Sequence, residues 1–227
     1  MIMPSVTLRG TSSPIVVSKI ICVGRNYAAH AKEMKAEIPA QPVFFLKPPS
    51  AILPDGGTVL LPPISTDLHH EVEMTVLIGR GGKNIDEHSA LSHVAGYGVG
   101  LDMTLRDIQS EAKKKGLPWT LAKGFDTSAP LSEFVPAAAV SDPHALEVEL
   151  RVNGAVRQRG NTSSFIFRLE RLISIVSIYF TLEEGDVIFT GTPEGVAQTV
   201  PQDMLEATLR TPGGTQLSSL TVRIGRA

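Results

Sequence analysis

One cysteine, Cys22, stands among 227 residues, so no internal disulfide can staple the fold and thiolates offer little to a metal. It lies in the apolar run "KIICVG", where a small buried core residue is expected. Charge of one sign is also missing. Lys plus Arg number 21 against 23 Asp plus Glu, the formal net charge is -2 and the isoelectric point is near 6.3. No basic run exceeds Lys113–Lys115, which argues against nucleic acid as a partner. No stretch approaches the roughly 18 apolar residues of a membrane span. The opening "MIMPSVTLRGTSSPIVVSKI" has neither a charged start followed by an apolar run nor an Arg-rich amphipathic pattern, so a cytoplasmic protein is the expectation. Nothing repeats at a fixed period.

Two nucleotide motifs are absent as well. "GYGVGLDMTLRDIQ" places Gly96, Gly98 and Gly100 before a helix, but the spacing is G-x-G-x-G and the G-x-G-x-x-G of a dinucleotide loop is missing. The lysine of a P-loop is missing too. A zincin is ruled out because H-E-x-x-H starting at His70 would need histidine where Met74 stands.

What is present is a chain 42% hydrophobic, with mean hydropathy +0.10, enough to bury the core of one domain over residues 1–227. Short apolar runs bounded by Gly and Pro predict strands in "IVVSKIICVG", "VFFLK", "TVLL", "EVEMTVLIG", "VAGYGVGLD", "WTLAKGFD", "ALEVELRVNG" and "DVIFTGT". Asn153-Gly154 predicts a hairpin. Helices are predicted near Tyr27–Met34, from Met103 to Lys115 and around Phe165–Phe180. The class is α+β, dominated by sheet.

Glu71 and Glu73, in "LHHEVEMTVLIG", are two apart in a strand and so share a face. Such a pair must be solvated at an exposed edge, protonated, or neutralised by a cation. His69 and His70 beside them are available as ligands, though a pair of histidines next to an acidic strand is more often structural or supporting. Asp102 ends the following strand, where it would cap a helix, and Asp102, Arg106 and Gln109 then fall at i, i+4 and i+7 on a face that is either solvated or lines a polar cavity. Three carboxylates from Glu71, Glu73 and Asp102 make a partial octahedron for a hard cation, Mg²⁺ or Mn²⁺. An anionic substrate would need cations, and Arg25, Lys47, Arg106 and Lys123 are available. Lysine in an apolar strand is costly unless paired, which favours Lys47 and Lys123 over Lys113–Lys115.

Seven ordered motifs, "VGRNYAAHAKEM", "PVFFLKPPSAI", "LHHEVEMTVLIG", "GYGVGLDMTLRDIQ", "LAKGFDTSAPL", "VNGAVRQRGNTSSFIF" and "GDVIFTGTPEGV", give the chain a resemblance to the fumarylacetoacetate hydrolase superfamily, over roughly residues 18–205. It is most similar to the short acylpyruvase and oxaloacetate decarboxylase branch. The resemblance implies a mixed β-sandwich roll, a homodimer, and Mg²⁺ or Mn²⁺ held by Glu71, Glu73 and Asp102. It makes His30 and Glu33, at i and i+3 on a short helix that Asn26 would cap, a catalytic dyad on a segment that orders over substrate; taken alone they would be an ordinary surface pair. Lys123 would stabilise or protonate an enolate, and Arg106 and Gln109 would position a small 2-oxo acid.

The implied reaction is cleavage of the C3–C4 bond of 2,4-dioxo or 2-oxo acids, as acylpyruvate hydrolysis or oxaloacetate decarboxylation. The alternatives are keto-enol tautomerisation of oxaloacetate, the isomerase and decarboxylase chemistry of 2-hydroxyhepta-2,4-diene-1,7-dioate, or a metal-binding member without catalysis. In "FTGTPEGV", Thr192 falls in a turn whose N–H groups can receive the substrate carboxylate, or in a simple turn. Glu194 and "VAQTV" depart from the usual family wording there.

Overall fold

The computed structural model describes residues 3–33 and 40–227. Its larger sheet has eight strands. Seven run in the order Phe44–Lys47, Ile20–Val23, Val187–Phe189, Val72–Ile78, Val94–Leu101, Ala129–Leu131 and Ile52–Pro54, and Val135–Pro136 also pairs with Val94–Leu101. A five-stranded sheet runs Ala155–Asn161, Glu147–Val152, Met204–Arg210, Gln216–Arg226, Thr58–Leu61. A three-stranded ribbon joins Thr104–Leu105, Leu68–His70 and Ala197–Thr199. The two large sheets are mixed: Val187–Phe189 runs parallel to Ile20–Val23, and Gln216–Arg226 parallel to Thr58–Leu61.

Alternation decides which residues meet in the core. Along Val72–Ile78 every residue is buried, because both faces of the sheet are covered. Met74, Val76 and Ile78 join Val148, Leu150, Leu205, Leu209 and Val222 in the main core, with Leu172 and Val176 of the helix Leu169–Tyr179 (α4) in the same cluster. Leu77 points the other way, into a smaller core with Ile20, Cys22, Phe134 and Phe189. Cys22 is a free, fully buried core residue, as its apolar run implies.

The predicted sheet-dominated α+β class and the roll are what the structure shows, and all but one of the predicted strands form. The Asn153-Gly154 hairpin forms with both residues at positive φ, 51° and 79°, the type I′ signature. The exception is "WTLAKGFD". Thr120–Lys123 is one turn of helix (α3), in which the Ala122 and Lys123 N–H groups donate to the Trp119 carbonyl at 2.9 Å. The helix predicted from Met103 starts later, at Arg106–Lys115 (α2), after the bridge strand Thr104–Leu105. Asp102 therefore caps nothing, and Leu105 holds the N-cap position. The acid at the helix start is Asp107, bound to the Ser65 hydroxyl and to the Ile108 N–H. The first helix (α1) spans Ala28–Glu33, and its predicted last residue, Met34, lies outside the described residues. Asn26 does not cap it through its side chain: its amide bridges the Thr190 and Phe167 carbonyls and the Phe167 N–H. Among the described residues no helix is long and apolar enough to cross a membrane.

Candidate metal centre and active-site cavity

Two strands leave the large sheet at the same level. Leu68–His70 and Val72–Ile78 belong to different sheets, and Glu71 is the corner between them; Asp102 is the matching corner between Val94–Leu101 and Thr104–Leu105. The Asp102 N–H donates to the Glu71 carbonyl at 2.8 Å, locking the corners together. Glu73 sits one pleat further along, opposite Gly100, on the face it shares with Thr75 and Leu77. An oxygen from each of Glu71, Glu73 and Asp102 lies within 4.8 Å of the others, and all three residues are at most 6% exposed. Solvation at a strand edge, one of the readings open for Glu71 and Glu73, is thereby removed.

Positive charge surrounds this cluster. Lys123 Nζ donates to Glu71 Oε2 at 2.7 Å, Asp102 Oδ2 at 2.6 Å and Thr104 Oγ1 at 2.6 Å. The guanidinium of Arg106 donates to Glu71 Oε1 and, at 2.7 Å, to Gln109 Oε1. Lys47 Nζ lies 2.8 Å from Asp102 Oδ1 and also donates to the Ser128 carbonyl at 2.9 Å and the carbonyl of Lys123.

Protonation follows from these neighbours. Burial raises the Glu71 carboxyl, but Lys123 and Arg106 outweigh it and hold Glu71 well below the usual range. Glu73 goes the other way. Burial, then Asp102 and Glu71, push it well above the usual range, and the Gly191 N–H at 2.6 Å and the charge of Lys123 offset only part. Burial lowers the Lys123 ammonium, yet Asp102 and Glu71 raise it above its ordinary value, so it stays charged.

The donor set fits a hard divalent cation. It is all oxygen, burial beside two like charges leaves Glu73 short of a counter-charge, and Asp102 Oδ1 is buried without a well-formed hydrogen bond, its contact with Lys47 being poorly aligned. Asp102 and Glu73 have the places such an ion needs; Glu71, turned toward Arg106 and Lys123, completes the set.

Beside the cluster opens a cavity of about 180 Å³. Arg25, His30, Glu71, Arg106, Gln109 and Lys123 line it, six of the residues named from sequence. Lys47 does not line it, since its ammonium is spent beneath Asp102. A larger apolar groove, about 810 Å³, adjoins it and shares Phe45 and Trp119 as walls, but its two lysines are paired elsewhere, Lys19 with Glu183 and Asp186 and Lys47 with Asp102.

His30 is buried, with Nδ1 3.3 Å from Glu33 Oε2, and Glu33 Oε1 accepts the Gly195 N–H at 3.0 Å. Burial lowers the imidazole pKa, against the opposing pull of Glu71 and Glu33, so the ring is neutral near pH 7. With Nδ1–H given to Glu33, Nε2 keeps its lone pair. Thr192 donates to the Val72 carbonyl at 2.8 Å and accepts from Gln158 Nε2 at 2.9 Å. Its turn braces the metal strand, and the Gly191 N–H is committed to Glu73.

His69 pairs with Asp67 and His70 with Gln158, supporting positions as expected. Three further residues were not singled out from sequence, and a fourth, Lys113, was ranked below Lys47 and Lys123 there. Gln158 meets His70, the Val72 N–H, Thr192 and the Pro193 carbonyl, although its strand reads as an ordinary hairpin arm. Phe45, Trp119 and Lys113 line the cavity; the signal for Lys113 was its place seven residues after Arg106 on the same helix face.

Comparison with known proteins agrees with this geometry. The family model described as Fumarylacetoacetate (FAA) hydrolase C-terminal matches residues 19–224. The chain is 55% identical over 188 residues to "Oxaloacetate tautomerase FAHD1, mitochondrial" of Rattus norvegicus, covering 83% of this chain and 85% of that one. It is 49% identical over 189 residues to "Oxaloacetate decarboxylase, mitochondrial" of Dictyostelium discoideum, covering 83% and 87%. The structure of fumarylpyruvate hydrolase from Pseudomonas aeruginosa in complex with Mn²⁺ and pyruvate superposes with a TM-score of 0.90 at 38% identity, covering 98% of this chain and 96% of that one. Corner carboxylates, sheet order and sequence identity lead to one assignment: the chain belongs to the fumarylacetoacetate hydrolase family.

Proposed function

We propose that this chain cleaves the C3–C4 bond of small 2,4-dioxo or 2-oxo acids, by acylpyruvate hydrolysis or oxaloacetate decarboxylation, with Mg²⁺ or Mn²⁺ held by Glu71, Glu73 and Asp102. The observation that carries the reading is the cavity wall that joins Glu71 of the carboxylate cluster to the His30 imidazole. When bound, the ion supplies Lewis-acid stabilisation of the charge that develops on the substrate's 2-keto oxygen.

The chain's own groups do the rest. Lys123 Nζ, charged at neutral pH, faces that developing charge and can return a proton to C3. Gln109 accepts from Arg106 through Oε1, which leaves its amide N–H groups to donate to substrate. Arg25 and Arg106 add positive charge to the wall. For an acylpyruvate, His30 Nε2 takes a proton from the water that attacks C4, while Glu33 holds Nδ1–H and steadies the imidazolium. For oxaloacetate, C4 leaves as carbon dioxide and that water is not needed.

The names of the relatives favour a second reading, keto-enol tautomerisation of oxaloacetate. It would use the same groups: one base, His30, and one ammonium, Lys123, on the cavity wall, moving a proton between C3 and the 2-oxygen. A homodimer is part of the proposal, and light scattering measures it.

Chelator-treated protein should be inactive and regain activity with Mg²⁺ or Mn²⁺, releasing pyruvate from acetylpyruvate or oxaloacetate. Metal-independent turnover, or no product from any of these acids, would defeat the proposal.

A further inference from the structure

Arg106, Gln109 and Lys113 stand at i, i+3 and i+7 on α2, and all three line the cavity. Their charges are not equally occupied. Arg106 and Lys123 are bound to Glu71, and Lys123 to Asp102 as well. Among the described residues Lys113 ion-pairs with no carboxylate. Its ammonium instead lies 5.1 Å from the centre of the Trp119 ring, and that ring leans on Phe45 with 5.9 Å between centroids. A cation over an indole face is held in place without being neutralised. The cavity wall thus carries four cations, Arg25, Arg106, Lys113 and Lys123, against one carboxylate, Glu71, and a cavity so biased favours an anion beyond the one that meets the metal.

We propose that Lys113 is a specificity-determining residue that binds the distal carboxylate of dicarboxylic 2-oxo acids. The inference rests on the proposed function in one respect: the substrate's 2-oxo carboxylate end sits at the Glu71, Glu73 and Asp102 cluster. The other end of the molecule then extends along the α2 face, past Gln109, toward the ammonium. A substrate ending in a methyl group gains nothing there, while a second carboxylate gains a charge-assisted hydrogen bond from a lysine already oriented by Trp119.

A binding experiment separates this claim from the reaction. 2-Oxoglutarate and 2-oxovalerate have the same five-carbon 2-oxo acid skeleton and differ at C5, carboxylate against methyl. Titrated calorimetrically into Mn²⁺-loaded protein at low salt, 2-oxoglutarate should bind at least tenfold tighter, and Lys113→Met should reduce the difference to less than about twofold. Lys113→Arg should keep most of it. In turnover, Lys113→Met should raise KM for fumarylpyruvate at least tenfold and leave acetylpyruvate within about twofold. Equal or undetectable binding of both acids by the unaltered protein, or a preference that survives in Lys113→Met, would overturn the subsite. If the binding preference holds and disappears with Lys113→Met while no acid is turned over, the subsite stands and the proposed reaction fails.

Discussion

The backbone N–H of Asp102 donates to the backbone carbonyl of Glu71 at 2.8 Å, at the point where both chains leave one sheet for another. That single bond places two metal-binding candidates from strands 31 positions apart side by side, and Glu73 follows from the pleat. The register also explains Gly100, which faces Glu73 across the ladder. A Cβ there would stand 2.8 Å from the buried Phe189 ring and 2.9 Å from Thr75 Cγ2. Gly100→Ala should therefore destabilise the protein by about 1–3 kcal/mol and weaken Mn²⁺ binding, since the overpacked strand must move. Thermal unfolding and a Mn²⁺ titration check both effects.

Glu73 makes the metal-free protein sensitive to pH. Its folded pKa is raised by burial and by Asp102 and Glu71, so its contribution is favourable below the ordinary glutamate range, about 4.3. The contribution is lost as pH rises through the raised folded value. Glu73→Gln keeps an acceptor for the Gly191 N–H and removes the charge. In the presence of chelator the variant should thus gain on the parent as pH rises from 4 to 8, and Mn²⁺ should stabilise the parent alone. Denaturant unfolding across that pH range measures both.

His30→Ala should slow acylpyruvate hydrolysis by roughly 10²–10⁴-fold and leave oxaloacetate decarboxylation within about tenfold, because water activation serves the first reaction only. Assays of the two acids on one preparation decide it, and an equal loss on both would reassign His30 to substrate binding or folding.

Gln158→Leu removes a buried side chain that satisfies four partners, the His70 ring, the Val72 N–H, the Thr192 hydroxyl and the Pro193 carbonyl. Leaving such groups unpaired costs about 1–3 kcal/mol each at most sites, so a loss of about 3 kcal/mol or more is expected. Unfolding in urea reads it directly.

Much of this was legible in the sequence because it rests on period and composition. A short apolar run ending in glycine gave the strand that carries Glu73, and the shortage of cysteine directed attention to oxygen ligands. The corner itself was not legible. Asp102 ahead of a helical pattern reads as an N-cap, and only the pairing of Thr104–Leu105 with Leu68–His70 shows that the chain first changes sheets. Lys123 was picked out by its apolar company, but "WTLAKG" has strand composition and becomes a helical turn because Trp119, Phe45 and the Lys123 ammonium are held by tertiary partners. The last two long strands, Met204–Arg210 and Gln216–Arg226, lie beyond the motifs that carry the resemblance. Their inward positions include Ala207 and Ser218, which weaken the alternation that Leu205, Leu209, Leu220, Val222 and Ile224 otherwise show.

The central claim is that two corner carboxylates, Glu71 and Asp102, together with Glu73 hold the ion on which 2-oxo acid chemistry depends. Its most direct test is to titrate chelator-treated protein with Mn²⁺ while following both bound metal and pyruvate release from acetylpyruvate and from oxaloacetate. Activity on at least one of the two should rise in step with occupancy and saturate near one Mn²⁺ per chain, and Glu73→Ala should show neither. Full turnover before any metal binds, or an unaltered titration in Glu73→Ala, would contradict it.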